Sequence, residues 1–239
     1  SKISAILQDA KRGKMFVLVD DEKRENEGDL VIPASKVTAQ SINFMAKYGR
    51  GLICLALSQS QVNKLNLSLM SPINSSRTQT AFTVSIDAKK GIASGISAHD
   101  RASTIKIAIK KNVTQKDIVS PGHVFPLVSK NGGVLVRAGH TEASVDVSRL
   151  SKCGASGVIC EIMNDDGTMA RGKQLFNFTK KHKLKLGKID DLISYRLNRE
   201  KLIKLKKSSI IKIKEQNYDI KIFENLLDGS ENFALIKGN

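Results

Sequence analysis

The sequence predicts an α+β fold, a three-layer α/β/α domain built around a mixed, twisted sheet. Short apolar runs of strand length, such as 15–19 (MFVLV), 30–33 (LVIP), 51–57 (GLICLAL) and 157–163 (GVICEIM), intermix with segments of helical spacing. The alternation keeps no strict βαβ period and shows no internal repeat, which favours a mixed sheet over a barrel or a solenoid. With 239 residues, 41% of them hydrophobic, the chain can bury a sizeable core as one large domain or as one domain plus an appendage.

The elements follow in order. Ile3, Ile6, Leu7 and Ala10 share a helix face over 3–11, with Gly13 as the stop. A strand at 15–19 and a second at 30–33 bracket an acidic stretch. Thr38 caps a helix through Lys47, and Gly49 ends it. The run 51–57 reads as a buried strand, and Ser58 caps a short helix to Leu65. Residues 66–80, rich in Ser and Asn, read as a polar loop. A strand at 82–87 alternates cleanly and a helix spans 97–111. Strands at 122–128 and 134–138 flank the turn Lys130-Asn131-Gly132-Gly133. A helix over 140–150, a strand at 157–163, a turn at 164–167 and helices over 174–181 and 190–202 complete the main domain, placed at 1–197. In the tail, 198–239, residues 205–214 read as a basic, Ile-rich linker, and 218–238 as two strands joined through Asp228-Gly229.

The formal charge of +16 would ordinarily suggest a polyanionic partner. Residues 171–214, however, hold fifteen Lys and Arg against three acids, so most of the surplus sits in one segment. That segment lacks the aromatic interleaving of a single-strand binder, and no nucleic-acid partner is expected. The longest apolar runs, about five residues, fall far below the roughly 18 needed to span a bilayer, so no membrane partner is expected and the location is read as cytoplasmic. Three cysteines, Cys54, Cys153 and Cys160, have neither zinc-type spacing nor a disulfide framework, and are read as structural thiols.

Six carboxylates crowd the ten residues from Asp20 to Asp29, in an otherwise basic chain. Such density needs neutralising, either by a hard divalent cation held on carboxylate oxygens or by solvent around a surface turn. His140 stands where an apolar run meets a helix start, in Arg137-Ala138-Gly139-His140-Thr141-Glu142. Free N–H groups, a hydroxyl and a guanidinium there suit a phosphate monoester, with His140 beside them as a possible metal ligand. A purely structural Arg and His fit the same residues. His123 can serve as acid or base, or as an ordinary surface imidazole. Glu161 interrupts a buried strand run, where a carboxylate is either salt-bridged or catalytic.

Taken together, DDEKRENEGDL, FTVSIDA, SGISAHDRASTI, SPGHVFPL, GGVLVRAGHTEASVD, GVICEIMNDDGTMAR and DLISYR resemble, in order, the 3,4-dihydroxy-2-butanone 4-phosphate synthase family of riboflavin biosynthesis. The resemblance spans about 3–197. It implies conversion of D-ribulose 5-phosphate to 3,4-dihydroxy-2-butanone 4-phosphate and formate, with Mg2+ or Mn2+, by a homodimer with active sites at the interface. It further implies that Glu25 and His140 are the metal ligands, that Arg24 and Asp29 contact substrate, and that Arg137, Ala138, Gly139 and Thr141 bind it near its phosphate. Glu161 and His123 match positions essential for proton transfer, and Glu27 is a further acid/base candidate. Asp20, Asp21 and Glu22 are left to shape the loop. Ser94 stands where the family usually has Thr, and Lys152-Cys153-Gly154-Ala155 lacks its usual Pro; neither removes a functional group. The tail weakly resembles the opening of a GTP cyclohydrolase II domain, without the residues that would give that activity.

Overall fold

A computed structural model describes residues 1–238 and shows how the apolar runs assemble. They form one seven-stranded sheet in the order β4-β5-β3-β6-β2-β1-β7. The strands are β1 Phe16–Val19, β2 Gly28–Pro33, β3 Cys54–Leu57, β4 Ile86–Ala88, β5 Ile118–Val128, β6 Ser156–Glu161 and β7 Leu186–Lys188. Pairing is mixed: β3 runs parallel to β5 and β1 to β7, while β1–β2, β2–β6, β3–β6 and β4–β5 are antiparallel. Among the described residues seven α-helices accompany it, α1 Ile3–Lys11, α2 Ala39–Phe44, α3 Gln59–Leu65, α4 Ala98–Ala108, α5 His140–Leu150, α6 Lys173–His182 and α7 Ile189–Leu197. The fold is α+β as the sequence predicts.

Strand alternation sorts side chains between the two faces. Leu30, Leu55, Val158 and Cys160 join Ile42, Met45 and Ile105 of α2, its extension and α4 in the main core. On the opposite face α1 and α5 pack on the sheet, and there Asp29, Cys54, Ile159 and Glu161 fall into register across β2, β6 and β3. The central strands therefore supply a core to one side and a polar site to the other. Leu55, fully buried on β3, is a test of that core. Leu55→Ala is expected to lower unfolding free energy by about 2–5 kcal/mol, read from the shift in urea midpoint at unchanged slope.

Several caps act as the sequence indicates. Thr38 Oγ1 accepts the Ser41 N–H at 3.1 Å while Ser41 Oγ accepts the Thr38 N–H, a reciprocal capping box, and Ser58 caps α3; Ser97, read only as the first residue of a helix, caps α4. The helix after Thr38 ends sooner than expected, passing at Met45–Gly49 into a π turn that stops at left-handed Arg50. The three-residue β7 escapes a pattern search because it is too short to show a period.

Two expectations are corrected. Residues 134–138 are not a strand: Gly133–Leu135 is a single 3-10 turn. Gly132 and Gly133 take φ of 87° and 62°, and the Val134 N–H donates to the buried Asp146 Oδ2 at 2.9 Å. A Cβ on Gly133 would lie 2.3 Å from that carboxylate. Val134 is buried here without a ladder while Val136 is exposed, which alternation alone does not distinguish. Residues 205–214, read as a linker, fall largely within β8 (Ile203–Ile213), which pairs with β9 (Gln216–Asn225), which pairs with β10 (Glu231–Ile236). The Ile/Lys mixture there was the pattern of a strand with polar and apolar positions, hidden by its charge.

The chain divides into two compact units, Ser1–Ile193 and Ser194–Asn239. The second holds the antiparallel β8–β10 sheet, whose last two strands turn near Asp228-Gly229 as expected. Among the described residues no helix is long and apolar enough to cross a membrane.

Candidate active site

Because Val19 pairs with Gly28, the acidic stretch becomes the loop of a β1–β2 hairpin. Asp20 is its anchor. One oxygen accepts the Glu27 N–H at 2.9 Å and the other the Arg24 guanidinium at 2.7 Å, with the side chain fully buried. Asp21 is exposed and caps the turn through the Lys23 N–H. Glu25 receives the same Arg24 nitrogen at 2.5 Å, and Glu27 pairs with Arg171 at 2.5 Å. Asp29, already inside β2, sits directly across from Glu161 of β6.

His140 is the first residue of α5 and is buried. Its Nε2 lies 3.2 Å from the Leu18 carbonyl. A carbonyl only accepts, so in the neutral ring the proton belongs on Nε2 and the Nδ1 lone pair is left for another partner. Nδ1 stands 3.8 Å from Asp29 Oδ1. Asp20, Glu25 and His140 each place a ligand atom within 4.8 Å of the others. The loop residue read as merely structural, Asp20, thus belongs to the cluster, while Asp21 and Glu22 are exposed and stand outside it.

The cluster is electrostatically loaded. Burial, followed by Glu161, Glu25, Asp20 and Glu27, pushes the Asp29 carboxyl well above the usual range. Burial likewise raises Glu161, against the Leu52 N–H that its Oε2 accepts at 2.8 Å, and raises Glu27 against Arg171. His140 is lowered, first by burial and also by Arg24, which keeps its imidazole neutral. Carboxylate oxygens with one neutral imidazole form a donor set that fits Mg2+ or Mn2+. Asp20→Asn is expected to weaken Mn2+ binding by about 10- to 100-fold in calorimetry, and Glu22→Gln to leave it unchanged.

Across a pocket of about 200 Å³ lie Arg137 and Thr141, with Ser76, Thr78 and Thr80 from the polar loop; Cys54, Phe82, Leu127 and Ile159 are its apolar lining. Arg137 Nη1 pairs with the buried Glu142 at 2.6 Å, and Nη2 donates to the Thr78 carbonyl at 2.9 Å and to Thr80 Oγ1 at 3.0 Å. A Cβ on Gly139 would stand 2.4 Å from Arg137 Nη1, so the missing side chain lets the guanidinium fold back over the start of α5. Ala138 is exposed and lies outside the lining.

Arg24, Glu25, Glu27, Asp29, Arg137, His140, Thr141 and Glu161 therefore meet in one pocket. His123 does not. It stands on β5 four residues from Leu127, roughly 13 Å along an extended strand, with Nδ1 held 2.7 Å from Asp87 Oδ2 and about two-fifths of its side chain exposed. Asp20, Glu142, Arg171 and the three hydroxyls were missed by sequence reading. Asp20 had a usable signal, its position immediately after an apolar strand; the others owe their place to distant pairings.

Fold and site together define an α+β protein with a carboxylate–histidine cluster facing an arginine and a helix start, an arrangement suited to a cation and an anionic ligand. A sequence model of the 3,4-dihydroxy-2-butanone 4-phosphate synthase family matches residues 4–195. The chain belongs to that family. It is 52% identical over 238 residues to riboflavin biosynthesis protein RibBA of Aquifex aeolicus, covering 99% of this chain and 59% of the relative. It is 49% identical to the 3,4-dihydroxy-2-butanone 4-phosphate synthase of Photobacterium phosphoreum, covering 100% of this chain and 66% of that protein. The chain thus spans about three-fifths to two-thirds of the length of these curated relatives. Among solved structures, the two-domain synthase RibBX of A. baumannii superposes with a TM-score of 0.90 at 43% identity, covering 100% of this chain and 70% of that one. A synthase in complex with two magnesium ions superposes at 0.79 with 36% identity, covering 83% of this chain and 98% of that one.

Proposed function

We propose that this chain is a 3,4-dihydroxy-2-butanone 4-phosphate synthase, a metal-dependent lyase that converts D-ribulose 5-phosphate to L-3,4-dihydroxy-2-butanone 4-phosphate and formate. The observation that carries the reading is one pocket holding both a hard-cation donor set and an arginine-bearing anion seat, in a chain of this family. Glu25 and His140, with Asp20 beside them, would hold Mg2+ or Mn2+, which when bound polarises the ketone and vicinal oxygens of the sugar. Arg24 and Asp29 orient the sugar, and Arg137, Gly139 and Thr141 hold the phosphate end at the start of α5.

The reaction needs proton removal beside the ketone, protonation of the departing hydroxyl, and proton return after the carbon skeleton rearranges. Several groups with different environments suit that sequence better than one. Glu161, raised by burial, holds a proton more readily than a solvated glutamate and so is fitted to carry one. Glu27, raised by burial yet paired with Arg171, is a second carrier on the loop. A homodimer with its active sites at the interface accounts for His123: part-exposed and outside its own pocket, the imidazole would serve the pocket of the other protomer.

The protein is assigned to the cytoplasm, with no nucleic-acid or membrane partner. We read 1–197 as the synthase domain and 198–239 as akin to the opening of a GTP cyclohydrolase II domain. These residues are assigned no cyclohydrolase activity, since all three cysteines, Cys54, Cys153 and Cys160, precede that segment and it offers no thiolate for zinc. The test is direct. Incubated with D-ribulose 5-phosphate and Mg2+, the protein should release formate, and EDTA should stop it; release of inorganic phosphate instead would identify a phosphatase and sink the reading.

A further inference from the structure

Thr78 and Thr80 sit on the loop that closes one side of the pocket, half-buried and facing Arg137. Their hydroxyl oxygens are 3.1 Å apart, and Arg137 Nη2 donates to Thr80 Oγ1 and to the Thr78 carbonyl. A hydroxyl has one proton to give. Thr80 already accepts from the guanidinium, so the bond between the two hydroxyls uses the proton of one threonine and leaves that of the other without an acceptor among the described residues. Whichever way the pair is oriented, one O–H is free in the pocket beside a guanidinium.

We propose that Thr78 and Thr80 form an anion-binding hydroxyl pair that, with Arg137, grips the phosphate end of the substrate. The pair rests on the reading of this pocket as a sugar-phosphate site. Its geometry has two consequences. Rotating both hydroxyls reverses the bond between them and so exchanges which O–H is free, and either threonine alone still offers one donor. Arg137 is already held by Glu142 and by the loop, so it meets an anion without a search through rotamers, which cuts the ordering cost of binding.

Calorimetric titration with inorganic phosphate tests the pair without turnover. T78V/T80V, nearly isosteric, should bind phosphate about 10- to 100-fold more weakly, the scale of a lost hydrogen bond to a charged group. T78V and T80V singly should each stay within about threefold of wild type, and T78S/T80S should match it. In the formate assay the double variant should raise KM by a similar factor with kcat little changed, and Mn2+ affinity should not move. Wild-type phosphate affinity in T78V/T80V, or a single variant as impaired as the double, overturns the proposal. T78A/T80A provides the same test if the valine pair loses its far-UV dichroism. Should the wild type release no formate, the synthase reading fails, while the phosphate titration still decides the role of the threonines.

Discussion

Glu25→Ala should reduce formate release from D-ribulose 5-phosphate by at least about 10³-fold, and EDTA should do the same to the wild type. A bound divalent cation contributes several kcal/mol of charge stabilisation, and each 1.4 kcal/mol is about a decade in rate. Glu25 is one of three residues whose ligand atoms lie within 4.8 Å of one another, and His140 opposite it is kept neutral by burial. Removing either ligand breaks the donor set. His140→Ala would strand the Leu18 carbonyl that its Nε2 engages, so a loss of stability would cloud that variant. Glu25 is only half-buried, and its side chain pairs with Arg24, which keeps Asp20 as an alternative. Its removal should therefore leave the thermal midpoint nearly unchanged. Mn2+ titration alongside the formate assay separates the cases: activity and metal affinity should fall together. Full activity with Mn2+ affinity intact would exclude Glu25 from the metal site. Glu25→Ala/Asp20→Asn should be little worse than Glu25→Ala in rate, because residues that act as one unit are not additive.

How much of this was written in the residues depends on range. The α1 helix, the caps at Thr38 and Ser58, and the buried runs of β1, β3 and β6 follow from spacings of a few residues, which sequence shows directly. The acidic loop was also legible, since repulsion among six carboxylates within ten residues does not depend on the rest of the fold. Its internal division was not. Whether Asp20 or Asp21 turns inward is decided by the Val19–Gly28 register and by the Glu27 N–H and Arg24 that Asp20 collects. The pairing of Asp29 with Glu161 joins positions 132 residues apart through β2 and β6. Thr78 and Thr80 looked like part of an ordinary polar loop because their partner, Arg137, lies 57 residues beyond Thr80. The errors at 134–138 and 205–214 share a cause: composition and alternation report burial and faces, while a ladder needs a second strand to be present.

Glu161→Gln is expected to lower kcat by about 10² to 10⁴-fold while stabilising the protein at neutral pH, and the pairing of those two effects distinguishes a working carboxylate from a structural one. General acid–base catalysis contributes a factor of that size, and Gln keeps the shape and the acceptor for the Leu52 N–H but cannot exchange a proton. The stability effect follows from linkage. Burial, reinforced by Glu25, raises the Glu161 carboxyl in the folded protein, so the folded state holds this proton more tightly than the unfolded chain does. The stability gained from the protonated form is complete below the usual glutamate range and is lost as pH rises through the raised folded value. Gln is permanently uncharged and escapes that loss. Without added metal, the thermal midpoint of Glu161→Gln should therefore match wild type in acid and exceed it increasingly from the usual glutamate range upward, levelling off above the raised value. A salt-bridged structural Glu161 would give the reverse: loss of stability at neutral pH on substitution. That alternative is already strained by the geometry, since the cross-strand neighbour of Glu161 is Asp29, a second acid raised by the same surroundings. Two carboxyls held face to face across β2 and β6 cost the fold stability, and the proposed reaction, which must move protons between carbons, would give that cost a use.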